Sequence, residues 1–267
     1  MCIIAVKPKG VEPPSKEILK TMFERNSDGA GVAYNQNNKL YIVKGLMTKD
    51  DFIQICESIP KESAVIYHAR IQTSGGICKE LTHPFPITND IKKQRKTFLK
   101  IDKGEAIAHN GIFSEFEKKE LNNDTTQFIS NYLYPLKKMK DKIGESILDD
   151  DLELIINKLC GCSNKIAIIN EKGQIRRYGS GWIYDNGIYY SNHTYERYQS
   201  FFSDYTFSGF NCLSWKDNSI ASKVNKNING QIENLRKNDK EFNRVYLRWQ
   251  NEMSDIDILE CYENGWI

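Results

Sequence analysis

Cysteine at position 2 follows a single methionine. If Met1 is removed, Cys2 carries a thiol and a free α-amine on one residue, a nucleophile with its base attached. An α-amino group ionises at roughly 7.7–8.0, against about 10.4 for lysine. At neutral pH part of it is therefore unprotonated and able to take the thiol proton without a histidine. Further along, polar clusters recur where apolar runs end. They are Arg25-Asn26-Ser27-Asp28-Gly29-Ala30-Gly31, His68-Ala69-Arg70-Ile71-Gln72-Thr73-Ser74-Gly75, Thr82-His83-Pro84, His109-Asn110-Gly111-Ile112 and Asp124-Thr125.

The elements that must position these clusters alternate between strand and helix. Ile3–Val6 predicts a strand, Ser15–Arg25 a helix opened by a serine cap, and Gly31–Tyr34 with Leu40–Val43 a hairpin. A helix over Lys49–Ser58 and a strand over Ala64–Ala69 follow, then a Gly/Thr/Pro-rich loop from Thr73 to Pro86. The basic run Lys92–Lys103 is compatible with a phosphate-binding patch, although a solvated hairpin end is the commoner meaning of such a run. Glu105–His109 predicts a strand ending at Asn110-Gly111, and helices are expected over Thr125–Met139 and Asp149–Leu159. Lys165–Asn170, Gln174–Tyr178, Gly181–Tyr184 and Ile188–Ser191 predict short strands separated by turn residues. Beyond about Tyr195 the strand cadence stops, and Ser219–Met253 carries apolar residues at rough helical spacing.

The chain has 267 residues, 40% of them hydrophobic, enough for one sizeable core with an appendage. The organisation expected is a main domain over 1–195 and a mainly helical extension over 196–267 packing on it. A net charge of +2, with both signs interspersed, argues against nucleic acid or an anionic membrane as partner. No apolar stretch reaches the length of a membrane span, and the first residues lack the pattern of a signal peptide, so a cytoplasmic location is expected. Seven irregularly spaced cysteines argue against a disulfide framework and fit reduced thiols. Cys160-Gly161-Cys162 has no second half-site, so two core thiols flanking a turn are expected there rather than zinc. Four histidines without a carboxylate pattern around them make a metal centre improbable. Nor is there a Gly-rich phosphate or dinucleotide motif, and no cofactor is expected.

In that order, behind an N-terminal cysteine, the clusters resemble the class II glutamine amidotransferase family of N-terminal-nucleophile (Ntn) hydrolases. The resemblance covers roughly Cys2 to Tyr195. It implies an α+β fold, a four-layer αββα sandwich of two mainly antiparallel sheets between helices. It also implies a glutaminase, in which Cys2 attacks the side-chain amide, forms a γ-glutamyl thioester and releases ammonia before water hydrolyses the ester.

On matching positions, Asn110 and Gly111 resemble the oxyanion hole, and Arg70 the residue that holds the α-carboxylate of glutamine. Ile71, Thr73 and Ser74 lie in the same recognition loop. Asp124 resembles the carboxylate that pairs with the α-ammonium, while an N-cap to the following helix is the structural alternative. Arg25 and His83 match supporting positions, and buried hydrogen-bonding roles are expected for His68 and His109. Larger family members carry a synthase domain for which residues 196–267 are too few and too polar, so the ammonia acceptor is expected on another polypeptide. The alternatives are a free-standing amidohydrolase acting on a γ-glutamyl or related amide, and a binding protein that keeps the fold without the activity.

Overall fold

A computed structural model describes residues 2–71, 78–116, 123–196 and 232–249. The chain divides into two compact units, Met1–Arg197 and Tyr198–Ile267. The first is a mixed α+β unit built on two antiparallel sheets.

The larger sheet contains β1 (Ile3–Lys7), β2 (Ala30–Gln36), β3 (Lys39–Leu46), β4 (Val65–Ala69), β6 (Phe98–Ile101), β10 (Ile183–Asp185) and β11 (Ile188–Tyr190), in the order β10-β11-β1-β4-β2-β3-β6. The smaller contains β5 (Phe85–Pro86), β7 (Glu105–Asn110), β8 (Lys165–Asn170) and β9 (Ile175–Tyr178), in the order β5-β7-β8-β9. Side chains alternate between the two faces of a strand, and here both faces are apolar. On one face of the larger sheet, Ile3, Ala5, Val32, Val65 and Tyr67 cluster with Leu19, Met22 and Phe23 of α1 (Lys16–Arg25) and Phe52 and Ile53 of α2 (Lys49–Ser58). The intervening residues Ile4, Val6, Ala33 and Ile66 cluster instead with Ala106 and Ala108 of β7 and Ala167 and Ile169 of β8. The opposite face of the smaller sheet, Ile107, Ile166 and Ile168, packs with Phe128, Leu133, Leu152 and Ile156.

Local chemistry sets the helix ends. Ser15 caps α1 by accepting from Ile18 N at 3.3 Å, and Thr48 caps α2 by accepting from Asp51 N at 3.2 Å. The expected helix over Thr125–Met139 is present and runs without interruption through α4 (Asp124–Phe128), a π turn over Ile129–Leu133 and α5 (Tyr134–Lys142). Pro135 explains the π turn, since it has no N–H to donate and its ring crowds the preceding turn.

The basic run does not form a hairpin end. It folds into the short helix α3 (Ile91–Gln94) and the edge strand β6, whose pattern the many lysines hid. Of the close cysteine pair only Cys160 belongs to the core. It ends α6 (Glu153–Cys160), Gly161 follows at φ 73°, and Cys162 is half-buried. Of the helical C-terminal expectation, residues 232–238 and the helix Lys240–Trp249 are described, and the rest lies outside the described residues. Among the described residues no helix is long and apolar enough to cross a membrane.

Candidate active site

Strand register brings the first cluster together. β4 lies between β1 and β2, with Ala69 opposite both Ile3 and Ala30. One residue beyond those pairs, Arg70 continues the β2 side: its N–H donates to Gly29 O at 2.9 Å and its carbonyl accepts from Asp28 N at 2.9 Å. On the β1 side the same step brings Cys2 level with Arg70, and the Cys2 thiol donates to Ile71 O at 3.4 Å. Burial pushes the Cys2 thiol above its ordinary pKa, and the nearby Arg70 guanidinium works in the opposite direction. A thiol in that state needs a base to become a nucleophile. Arg70 is 6% exposed, and its Nη1 is buried with no hydrogen-bond partner. A guanidinium left in that condition is costly unless an anion completes it.

The glycines of the Asp28-Gly29-Ala30-Gly31 cluster have a steric purpose. Gly29 sits at φ 110°, and a Cβ on it would meet Thr82 Cγ2 at 2.7 Å, while one on Gly31 would run into the His83 carbonyl oxygen. The absence of side chains lets the Thr82-His83 segment lie on β2 and brings His83 to His68.

From His68 a hydrogen-bond chain crosses between the sheets, and its partners determine its direction. His68 Nε2 lies 3.1 Å from His109 O, which can only accept, so Nε2 carries the hydrogen. His83 Nδ1, 3.0 Å from that same nitrogen, is then an acceptor, and His83 Nε2 donates to Thr125 Oγ1 at 3.2 Å. Asn164 Nδ2 donates to Cys160 O, which turns Asn164 Oδ1 toward His109 Nε2 at 2.8 Å. His109 Nδ1 is left to accept from Thr125 Oγ1 at 2.8 Å. All three rings are neutral in this scheme. Burial lowers each pKa, to about 3 for His68 and well below the ordinary value for His83, while Asp124 and Asn164 partly oppose the fall at His109. The chain leaves His68 Nδ1 buried and unpartnered.

At the end of β7, Asn110 pairs with Lys165 of β8, and its amide lies 3.0 Å from Ser191 Oγ. Gly111 follows at φ 144°, where a Cβ would collide with Asn164 Oδ1, so only glycine suits this turn. Asp124 is not the helix cap. That role belongs to Asn123, which accepts from Thr126 N at 2.8 Å. Asp124 instead accepts from Phe113 N at 2.9 Å and from Thr125 N at 2.8 Å, tying the Gly111–Phe113 turn to the start of α4. Each carboxylate oxygen keeps acceptor capacity beyond these bonds. Arg25 is the last residue of α1, immediately before its cap Asn26. Thr73 and Ser74 lie outside the described residues.

A chain of three polar residues, two of which the sequence did not point to, holds the Cys2 carbonyl. Asn192 Nδ2 donates to Cys2 O at 2.7 Å, Thr194 Oγ1 donates to Asn192 Oδ1 at 2.7 Å, and Asn26 Nδ2 reaches Thr194 Oγ1 at 3.3 Å. Asn192 and Thr194 lie some 190 residues from Cys2 in a polar stretch after the last strand, where residue type alone carries no signal.

Together these groups place a thiol beside a buried cation, with an asparagine amide and a glycine turn tied into the same end of the paired sheets. Such an arrangement can bind a carboxylate and stabilise a developing oxyanion. Among the described residues no group of three His, Cys, Asp or Glu could hold a metal ion; the histidine nitrogens face one another, Thr125 and Asn164. No protein-family model matches the sequence, and no curated protein matches it.

Proposed function

We propose that this chain is a glutaminase of the class II glutamine amidotransferase type, built on the four-layer αββα sandwich of Ntn hydrolases. The three apolar clusters, one on each helix-facing sheet surface and one between the sheets, support that layering. The observation that carries the functional reading is Arg70, a buried guanidinium with an unpartnered nitrogen, one strand away from Cys2.

In this reading Met1 is removed and the freed Cys2 amine takes the thiol proton. The thiolate attacks the amide carbon of glutamine, and Asn110 Nδ2 with Gly111 N–H stabilises the tetrahedral oxyanion. The proton returns to the leaving nitrogen, ammonia departs, and water cleaves the γ-glutamyl thioester to glutamate. Arg70 binds the α-carboxylate, and Ile71, Thr73 and Ser74 belong to the recognition loop that the family resemblance implies. Asp124 receives the α-ammonium through its remaining lone pairs, and Arg25 and His83 support the pocket. An ammonia-accepting synthase is the partner class that this chemistry implies.

The experiment measures glutamate and ammonia released from glutamine by protein whose first residue is Cys2. Equimolar release that disappears in Cys2→Ala supports the reading. No release from the wild-type protein, or equal release from Cys2→Ala, overturns it.

A further inference from the structure

The hydroxyl of Ser191 has a hydrogen-bond inventory that does not close as drawn. Ser191 is 1% exposed and tied down on every side: its N–H donates to Ile4 O at 2.9 Å, its carbonyl accepts from Lys165 Nζ at 2.9 Å, and its Oγ accepts from Ile4 N at 2.9 Å. With Asn110 Nδ2 donating to the same Oγ at 3.0 Å, both lone pairs are filled. The Ser191 hydroxyl hydrogen then has no acceptor among the described residues. At the same time Asn110 Oδ1 is buried with no donor.

A half-turn of the Asn110 amide gives the Ser191 hydrogen an acceptor and exchanges the unpartnered oxygen for an amide NH2 left to meet a ligand, since oxygen and nitrogen of an amide differ little in shape and are assigned by their partners. Ser191 Oγ then donates to Asn110 Oδ1, and Nδ2 with both hydrogens occupies the position where the unpartnered oxygen stood. The Ile4 N–H fills one lone pair of Ser191 Oγ, and giving its own proton to Asn110 Oδ1 then uses the hydroxyl as both acceptor and donor.

We propose that Ser191 is the positioning residue of the oxyanion site: held by Ile4 N–H, its hydroxyl donates to the Asn110 amide oxygen and so turns the amide nitrogen toward the reacting carbonyl. This rests on the glutaminase reading, in which Asn110 is an oxyanion donor. One hydroxyl therefore holds the nucleophile strand, two residues after Cys2, and orients the group that stabilises the charge Cys2 creates. A serine at the end of β11 is thereby coupled to a residue on the other sheet, 81 positions earlier.

The test is a kinetic cycle on the full chain with glutamine. Ser191→Ala is expected to lower kcat about 10- to 100-fold, less than or comparable with outright loss of one oxyanion donor, and to leave KM nearly unchanged. Ser191→Thr, which keeps the hydroxyl, restores most of the loss. In an Asn110→Ala background, Ser191→Ala costs nothing further in kcat, because its effect runs through the amide. Should Ser191→Ala fail to fold, Ser191→Cys takes its place in the cycle, keeping the size and weakening the donor. An unchanged kcat, a loss confined to KM, or a loss that simply multiplies that of Asn110→Ala overturns the inference while wild-type turnover leaves the glutaminase reading standing. Absence of turnover in the wild-type protein removes both.

Discussion

The two ends of β7 handle buried polarity in opposite ways. At its start, Glu105 lies 2.8 Å from Lys137 Nζ, which also lies 3.3 Å from Asp141, and nearby Lys140 reaches Asp151 at 2.6 Å. Opposite charges meet there and balance one another within the protein, although Glu105 Oε2 is itself buried without a well-formed hydrogen bond. At its finish, around Asn110, the partners are neutral: three histidines, a threonine and an asparagine pass hydrogen bonds in one direction. Of the buried cations near that end, Lys44 bonds the carbonyls of Glu80 and Gln94, whereas Arg70 keeps an unpartnered nitrogen; the acceptors Asn26 Oδ1, His68 Nδ1 and Asn110 Oδ1 are likewise without partners. The start of β7 pairs its buried charges with opposite ones. The finish leaves a buried guanidinium without such a partner, at a cost of about 1–3 kcal/mol per unmade hydrogen bond, and it is there that the proposed substrate would bind.

Replacing Arg70 tests this contrast with the largest expected effect. Arg70→Met should raise KM for glutamine about 10- to 100-fold, the equivalent of losing one charge-assisted contact of about 1.5–3 kcal/mol. Its melting temperature should rise rather than fall, because an incompletely paired buried charge is removed. At the other end, Lys137→Met should do the reverse. It leaves Glu105 buried without its cation and lowers stability by about 3 kcal/mol in chemical denaturation, with glutamine turnover unchanged. If both variants lose stability alike, the two ends are not different in kind.

The smallest effect concerns pH. Neutral His68 has a pKa of about 3 in the folded chain, below its ordinary value. Between that ordinary value and about 3 the unfolded chain binds a proton that the folded chain does not, so stability falls as pH falls. His68 alone contributes a slope of about 1.4 kcal/mol per pH unit in that window, and His83 and His109, shifted the same way, steepen it. Above the window the three contribute no pH dependence. Denaturation midpoints measured from pH 7 to pH 4 check this, and His83→Gln should flatten the curve.

How much of this was legible beforehand depended on range. β1, α2, β4 and β8 stand out in the sequence because unbroken apolar runs or a capped amphipathic stretch specify them locally. β6 did not, since lysines on an edge strand look like a solvated turn. The π turn was hidden because the residues around Pro135 read as one continuous helix, and a single extra residue per turn leaves no mark in residue type. Cys2, Arg70, Asn110 and Gly111 could be singled out by type and order, and register then explains the nearness of Cys2 to Arg70. Ser191, Asn192 and Asn164 could not. Each is an ordinary polar residue at a turn whose role comes from a partner on another element, and only the folded chain supplies that partner.

All of the proposed chemistry depends on Cys2 becoming an N-terminal nucleophile beside an anion-binding arginine. Intact-mass spectrometry of the purified full chain, with and without a diazoketone analogue of glutamine, tests it directly. The account predicts a mass lacking Met1, a single adduct located on Cys2, and no adduct in Cys2→Ala. A chain that retains Met1 yet turns over glutamine, or an adduct that persists in Cys2→Ala, would contradict it.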